Sequence, residues 1–208
     1  MKAATLLTCE GFPCVDVDHG RYRVPDLDID PDQIQIIMVS EAAPGCPEDW
    51  FYAGRDALFA QTTIQAFRDA GEDVGSIEDV LHLGVYLTTA VKCGKTGYGI
   101  SSVTVNSCAV LLEAELDLFP LARVLMLMGD VAIKAVNAIA RRSGEPRVVP
   151  AGATYKLRGG DYSYRGVKVF PSYVQAGPSF FIEKSKRQMI AEDIADALAY
   201  VRAPSVTV

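Results

Sequence analysis

Three apolar runs of strand length, each followed by a segment with helical spacing, constrain this chain more than any other feature. IQIIMVS (Ile34 to Ser40) is continuous where a half-exposed strand would alternate, the pattern of a parallel strand covered on both faces. VYLTTAVK (Val85 to Lys92) and RVLMLMG (Arg123 to Gly129) are the second and third runs, and a hairpin-like passage ends in a fourth strand, VKVF (Val167 to Phe170). GRDALFAQTTIQAFRDAG spaces Leu58, Ile64 and Phe67 as a helix and stops at Gly71. VNSCAVLLEAELDLF, DVAIKAVNAIARR and EKSKRQMIAEDIADALAYV read as further helices. This order predicts a single α/β domain over residues 1–208, with a central sheet of about four mainly parallel strands flanked by helices. Ligands are expected at the carboxyl ends of the strands. Residues 1–33 are a lead-in, acidic and proline-punctuated from Asp16 to Pro31.

Composition narrows the class. With 208 residues, half of them apolar and 22% charged, the chain can bury a sizeable core and is not disordered in character. No apolar run reaches the length of roughly 18 residues that a membrane span needs, so no membrane partner is expected. The N-terminal apolar stretch is too short for a secretory signal, which points to the cytoplasm. The net charge of −6 conceals an asymmetry: 7 Lys and Arg face 19 Asp and Glu before Pro120, and 13 face 7 from there on. A polyanion such as DNA would therefore meet mainly the C-terminal half, with Lys184, Lys186 and Arg187 as candidate contacts. The alternative is a solvated helix face.

Five cysteines in a reducing compartment are poor candidates for structural disulfides. Cys93 and Cys108 have fourteen residues between them, too far for a redox CxxC pair. They are compatible with buried core thiols, with a disulfide, or with half of a four-cysteine metal site. At the strand ends, Glu41 follows the first run in SEAAPGCPEDWFYAG, where a carboxylate can place a water or act as a base. Trp50, Phe51 and Tyr52 offer flat faces for a planar ligand. Gly129 opens a helix whose N-terminus can receive an anion, which keeps a phosphorylated small ligand in view.

Taken in order, SEAAPG, FYAGRDAL, VYLTTAVKC with Cys108 downstream, VLMLMG and VKVFPSY…GPSFF resemble the uracil-DNA glycosylase superfamily, most closely its iron–sulfur branch, family 4. That branch shows G-E-x-P-G, F-V-G-R-A-G, Y-I-T-N-V-V-K-C and H-P-S at the corresponding places. The resemblance covers the chain from Cys9 to the last helix and implies a uracil-DNA glycosylase-like fold. It also implies a [4Fe–4S] cluster on Cys9, Cys14, Cys93 and Cys108, four thiolates as such a cluster requires, with Cys46 outside the set. The first pair departs from the family's CxxC, being C-x4-C.

The same resemblance makes Glu41 the water-placing carboxylate and Tyr52, beside Phe51, the ring that stacks on the base. Ala42 falls among the backbone amides near Glu41, and Ser172, Gln175 and Ser179 are side chains available in the last loop. Two positions depart: the asparagine of Y-I-T-N falls on Thr89 and the histidine of H-P-S on Gly177. A Thr hydroxyl is a single short rotor where an Asn amide presents donor and acceptor in one plane. His19 and His82 lie away from the strand ends and read as structural. Two functions follow. One is a DNA glycosylase hydrolysing the N-glycosidic bond of a deaminated or damaged base, with weak or no uracil excision. The other is a non-catalytic nucleic-acid- or nucleotide-binding relative that kept the fold and lost the chemistry.

Overall fold

The computed structural model describes residues 1–203. Its strands are β1 (Val17–Asp18), β2 (Ile36–Ala43), β3 (Val85–Lys95), β4 (Val124–Met128), β5 (Tyr162–Tyr164) and β6 (Val167–Ser172). Its helices are α1 (Leu58–Asp69), α2 (Ile77–His82), α3 (Ser102–Leu116), α4 (Asp130–Arg142), α5 (Thr154–Leu157) and α6 (Lys184–Arg202). All four apolar runs became strands, and they pair in parallel in the order β3-β2-β4-β6. The sheet nevertheless has six strands, because β1 adds antiparallel to β3 and β5 antiparallel to β6. These edge strands hold two and three residues, too few to leave a period-2 signal in the sequence.

Side-chain alternation distributes each apolar run between two cores. Ile37 and Val39 of β2 join Tyr86, Leu125 and Leu127 under α3 and α4. Ile36 and Met38 join Leu87 and Met126 under α1, α2 and α6. With both faces covered, polar interruptions in β2 would strand a side chain without a partner, which is why the run is continuous. Each such side chain contributes about 1.5–3 kcal/mol by burial.

Two features of this architecture position the site. Adjacent β2 and β4 send their following helices to opposite faces, α1 to one core and α4 to the other. A crevice therefore opens between their carboxyl ends. Gly129, at φ +98°, ends β4 there, and a Cβ at that position would stand 2.4 Å from Val174 and 3.1 Å from the Glu41 carboxylate. No other residue fits so close an approach. The space that an anion could have taken beside Gly129 is filled by Glu41 and Val174.

Against the outer edge of β3 lies the lead-in. Arg23 donates its N–H to the Lys92 carbonyl (2.7 Å), Asp16 accepts from the Ser101 N–H (2.7 Å) and from the Thr104 hydroxyl, and Tyr22 donates to the Leu7 carbonyl. Those bonds hold the Asp16 carboxyl below the usual carboxylate range. The lead-in thereby reaches the start of α3, the helix that carries Cys108.

Candidate functional site

A cavity of about 620 Å³ opens at the carboxyl ends of the strands. Its walls come from four separated segments: Ser40 to Gly45 at the end of β2, Asp49 with Leu58 and Phe59, Lys95 to Tyr98 at the end of β3, and Val174 with Ala176 to Ser179 after β6. Of the residues expected from sequence, Glu41, Ala42, Gly177 and Ser179 meet here. Glu41 is paired with Lys95, Nζ to Oε2 3.2 Å, and both side chains stay partly open to solvent, 31% for the lysine and 25% for the glutamate. Phe59 supplies the aromatic wall.

Phe51, Tyr52 and Thr89 do not line this cavity. Phe51 is core, 1% exposed, packed between Trp50 and Phe59. The Tyr52 hydroxyl donates to the Leu87 carbonyl (2.9 Å) and accepts from the Leu87 N–H (3.1 Å), so the residue stitches the turn to β3. Burial raises its phenol well above the ordinary range. Thr89 is fully buried and its hydroxyl donates to the Val91 carbonyl (3.0 Å). The stacking and base-reading positions carried over from the family motifs thus correspond here to residues committed to internal bonds. Gly177 has φ +106° and donates its N–H to Thr62 Oγ1. A histidine placed there would be strained, so that side chain cannot be restored by simple substitution.

Behind the last loop, Ser172 donates to Asp193 (2.5 Å), and Asp193 is held by Arg158 (2.8 Å). Burial pushes the Asp193 carboxyl up, against the pull of Arg158 and Ser172. Gln175 accepts from Ser40 (3.0 Å) while its Nε2, also buried, has no partner among the described residues. Of the three side chains expected to be available, only Ser179 faces the cavity. Lys184 is exposed, but Lys186 is paired with Glu183 and Arg187 with Asp69, so two of the three expected DNA contacts have their charge matched internally. Sequence reasoning passed over Lys95, Phe59 and Tyr98. The signal for Tyr98 was present in GKTGYG, a tyrosine between glycines, and it is fully exposed at the cavity mouth.

On the far side of β3, Cys9, Cys14, Cys93 and Cys108 line a second cavity, about 320 Å³, with Tyr22 and Phe12. Cys46 stands apart, its thiol donating to Glu48. Burial, and then the proximity of the Cys108, Cys9 and Cys14 sulfurs, push the Cys93 thiol up to about 12. Burial also raises Cys14 and Cys108, the latter opposed by the Lys92 N–H that donates to its sulfur (3.3 Å). Among the described residues no group of three or more Cys, His, Asp or Glu is arranged to hold a metal ion. Four thiols around one space are a donor set of the kind a cluster takes, but their placement here supplies no metal-holding group.

Fold and cavity together define an α/β domain whose ligand crevice lies at a topological switch point, lined by a carboxylate and a Gly/Pro/Ser loop. No protein-family profile matches the chain. It is 31% identical over 122 residues to the Type-5 uracil-DNA glycosylase of Thermus thermophilus, a stretch covering 58% of this chain and 52% of the relative, so the chain spans about half the length of that protein. The likeness supports the uracil-DNA glycosylase superfamily for this chain and specifies no branch. No helix among the described residues is long and apolar enough to cross a membrane.

Proposed function

We propose that the chain is a DNA glycosylase-like protein that hydrolyses the N-glycosidic bond of a deaminated or damaged base. The observation that carries this reading is the convergence of Glu41, the Ala42 backbone and the 174–179 loop on one cavity, from segments far apart in sequence. A base turned out of the stack would enter against Phe59. Glu41 would then place the attacking water below the sugar, and the Ala42 amide and the Ser179 hydroxyl are the groups at hand for charge developing on the departing base. Exposed Phe181 and Ile182 follow the loop directly and offer an apolar wedge against the stack. Together with Lys184 they form the DNA-facing side, in a cytoplasmic setting.

In this reading the four cysteines hold a [4Fe–4S] cluster, as in the resembled family 4 branch. When bound, the cluster would clip the lead-in to β3 and α3 and take no part in base release.

Because Thr89 lies outside the cavity and Gly177 has no side chain, uracil finds no amide plane and no imidazole to read it. Uracil excision should be weak beside that of another base. The same observation favours the second reading, a relative that binds DNA without cleaving it. Base release from oligonucleotides carrying uracil, hypoxanthine or xanthine separates the two. Release of any of these, lost in Glu41→Gln, supports the enzyme. Salt-sensitive binding with no release supports the binder.

A further inference from the structure

We infer that Lys95 gives this site a second activity: capture of an abasic deoxyribose as an imine, followed by strand cleavage. The inference deepens the reading of the same cavity as a glycosylase site. Among the described residues Lys95 is the only amine lining the cavity, its Nζ stands 3.2 Å from the one carboxylate proposed to act on the sugar, and neither side chain is sealed from solvent. Lys92, on the same strand, is by contrast sealed from solvent with no exposure at all.

The product of base removal carries a latent aldehyde at C1′, which a lysine amine within reach captures as an imine, and a carboxylate at its side can relay the protons that the capture moves. In the ring-opened sugar, Nζ adds to C1′. Two protons of the ammonium pass in turn through Glu41 to the carbonyl oxygen, which leaves as water, and a protonated C=N bond remains. Glu41, again a carboxylate, then takes a proton from C2′. The C3′–O bond breaks and its electron pair departs with the phosphate of the downstream strand. Water hydrolyses the imine, returning the amine and releasing an unsaturated aldehyde on the upstream strand. No oxidant or reductant enters.

The test uses the full chain and an oligonucleotide in which the abasic site has been made beforehand, so that base recognition is bypassed. With borohydride present, the expected result is a covalent protein–DNA adduct that survives denaturation and maps to Lys95 by peptide mass. Without borohydride, the strand should break on the 3′ side of the abasic site. Lys95→Arg keeps the ion pair to Glu41 but stays protonated and forms no imine, so the adduct should fall roughly ten-fold or more. Lys95→Gln, with a melting curve matching wild type, should do the same. No adduct, an adduct mapped to another amine, or Lys95→Arg trapped as well as wild type would each overturn the inference. Adduct formation at Lys95 without base release from any modified oligonucleotide would uphold the lyase and refute the glycosylase reading. Base release without an adduct would do the reverse.

Discussion

β3 carries two lysines three residues apart, each paired with a glutamate, and the two pairs could hardly differ more. Lys92 and Glu115 are wholly buried; Tyr86 and Thr88 donate to the carboxylate, and the ammonium also donates to Thr88 and to the Thr89 carbonyl. Lys95 and Glu41 share one contact and face a cavity. The first pair has every donor and acceptor engaged, so it can only hold α3 to the sheet. In the second pair, lone pairs and protons are left over, and that surplus is what chemistry requires. The same two residue types thus become structure or candidate machinery according to how much of their bonding capacity the fold consumes.

Breaking the buried pair should give the largest effect. Lys92→Met leaves Glu115 charged and unpaired, and should cost about 3–5 kcal/mol in denaturant unfolding. Lys92→Met with Glu115→Leu should recover much of that loss, since removing both charges removes the stranded one. If the single variant melts like wild type, the distinction between the pairs fails.

Glu41→Gln inverts the pattern. Stability should move by no more than about 1 kcal/mol, as for other part-exposed ion pairs, while base release should fall on the order of 100-fold. A stability loss matching that of Lys92→Met would make the rim pair structural after all.

Cys93, between the two lysines, sharpens the comparison through pH. Its folded thiol lies at about 12 against an ordinary value of 9.0, so the fold favours the protonated form. The stability tied to it is complete below about pH 9 and is lost as pH rises toward 12, where the unfolded chain ionises first. The side chain is nearly covered although its surroundings are only partly filled, and a loss of roughly 2 kcal/mol, about half of what the full shift implies, is expected. Metal-free Cys93→Ala should show a shallower alkaline decline in melting temperature than metal-free wild type.

The smallest effect belongs to Arg187→Ala. Its guanidinium holds Asp69 below the usual carboxylate range, a contribution present at neutral pH and lost as pH falls through the depressed value. The pair is on the surface, so the change should stay within about 1 kcal/mol and vanish in acid.

The strands and long helices were legible because their signals are local: IQIIMVS needs nothing beyond its own residues to read as a doubly covered strand. Glu41 and Gly177 could be placed on one rim from sequence because Glu41 lies near the carboxyl end of its strand, Gly177 in the loop after another, and the strand ends gather there. Tyr52 was not, since whether a ring faces a cavity or turns back to bond Leu87 depends on where β3 lies, not on FYAG. The Lys92–Glu115 pair was hidden for a similar reason: a lysine written beside Lys95, with equal charge and similar neighbours, gives no hint that α3 will close over it. β1 was invisible because two residues carry no period.

The cavity's two side walls are built with unequal stiffness. The 174–179 wall is fastened near both ends, at Ser172 through Asp193 and Arg158 and at Gly177 through Thr62. The four residues between those anchors let them stand at most about 18 Å apart when fully drawn out, so this side behaves as a door frame. Opposite it, Tyr98 stands outward between Gly97 and Gly99, and a Cβ on either glycine would touch nothing within 4 Å. That side is the door. A bulky ligand entering on this side would meet the tyrosine first, between two glycines that crowd nothing, while Lys95 at its base is held in the sheet.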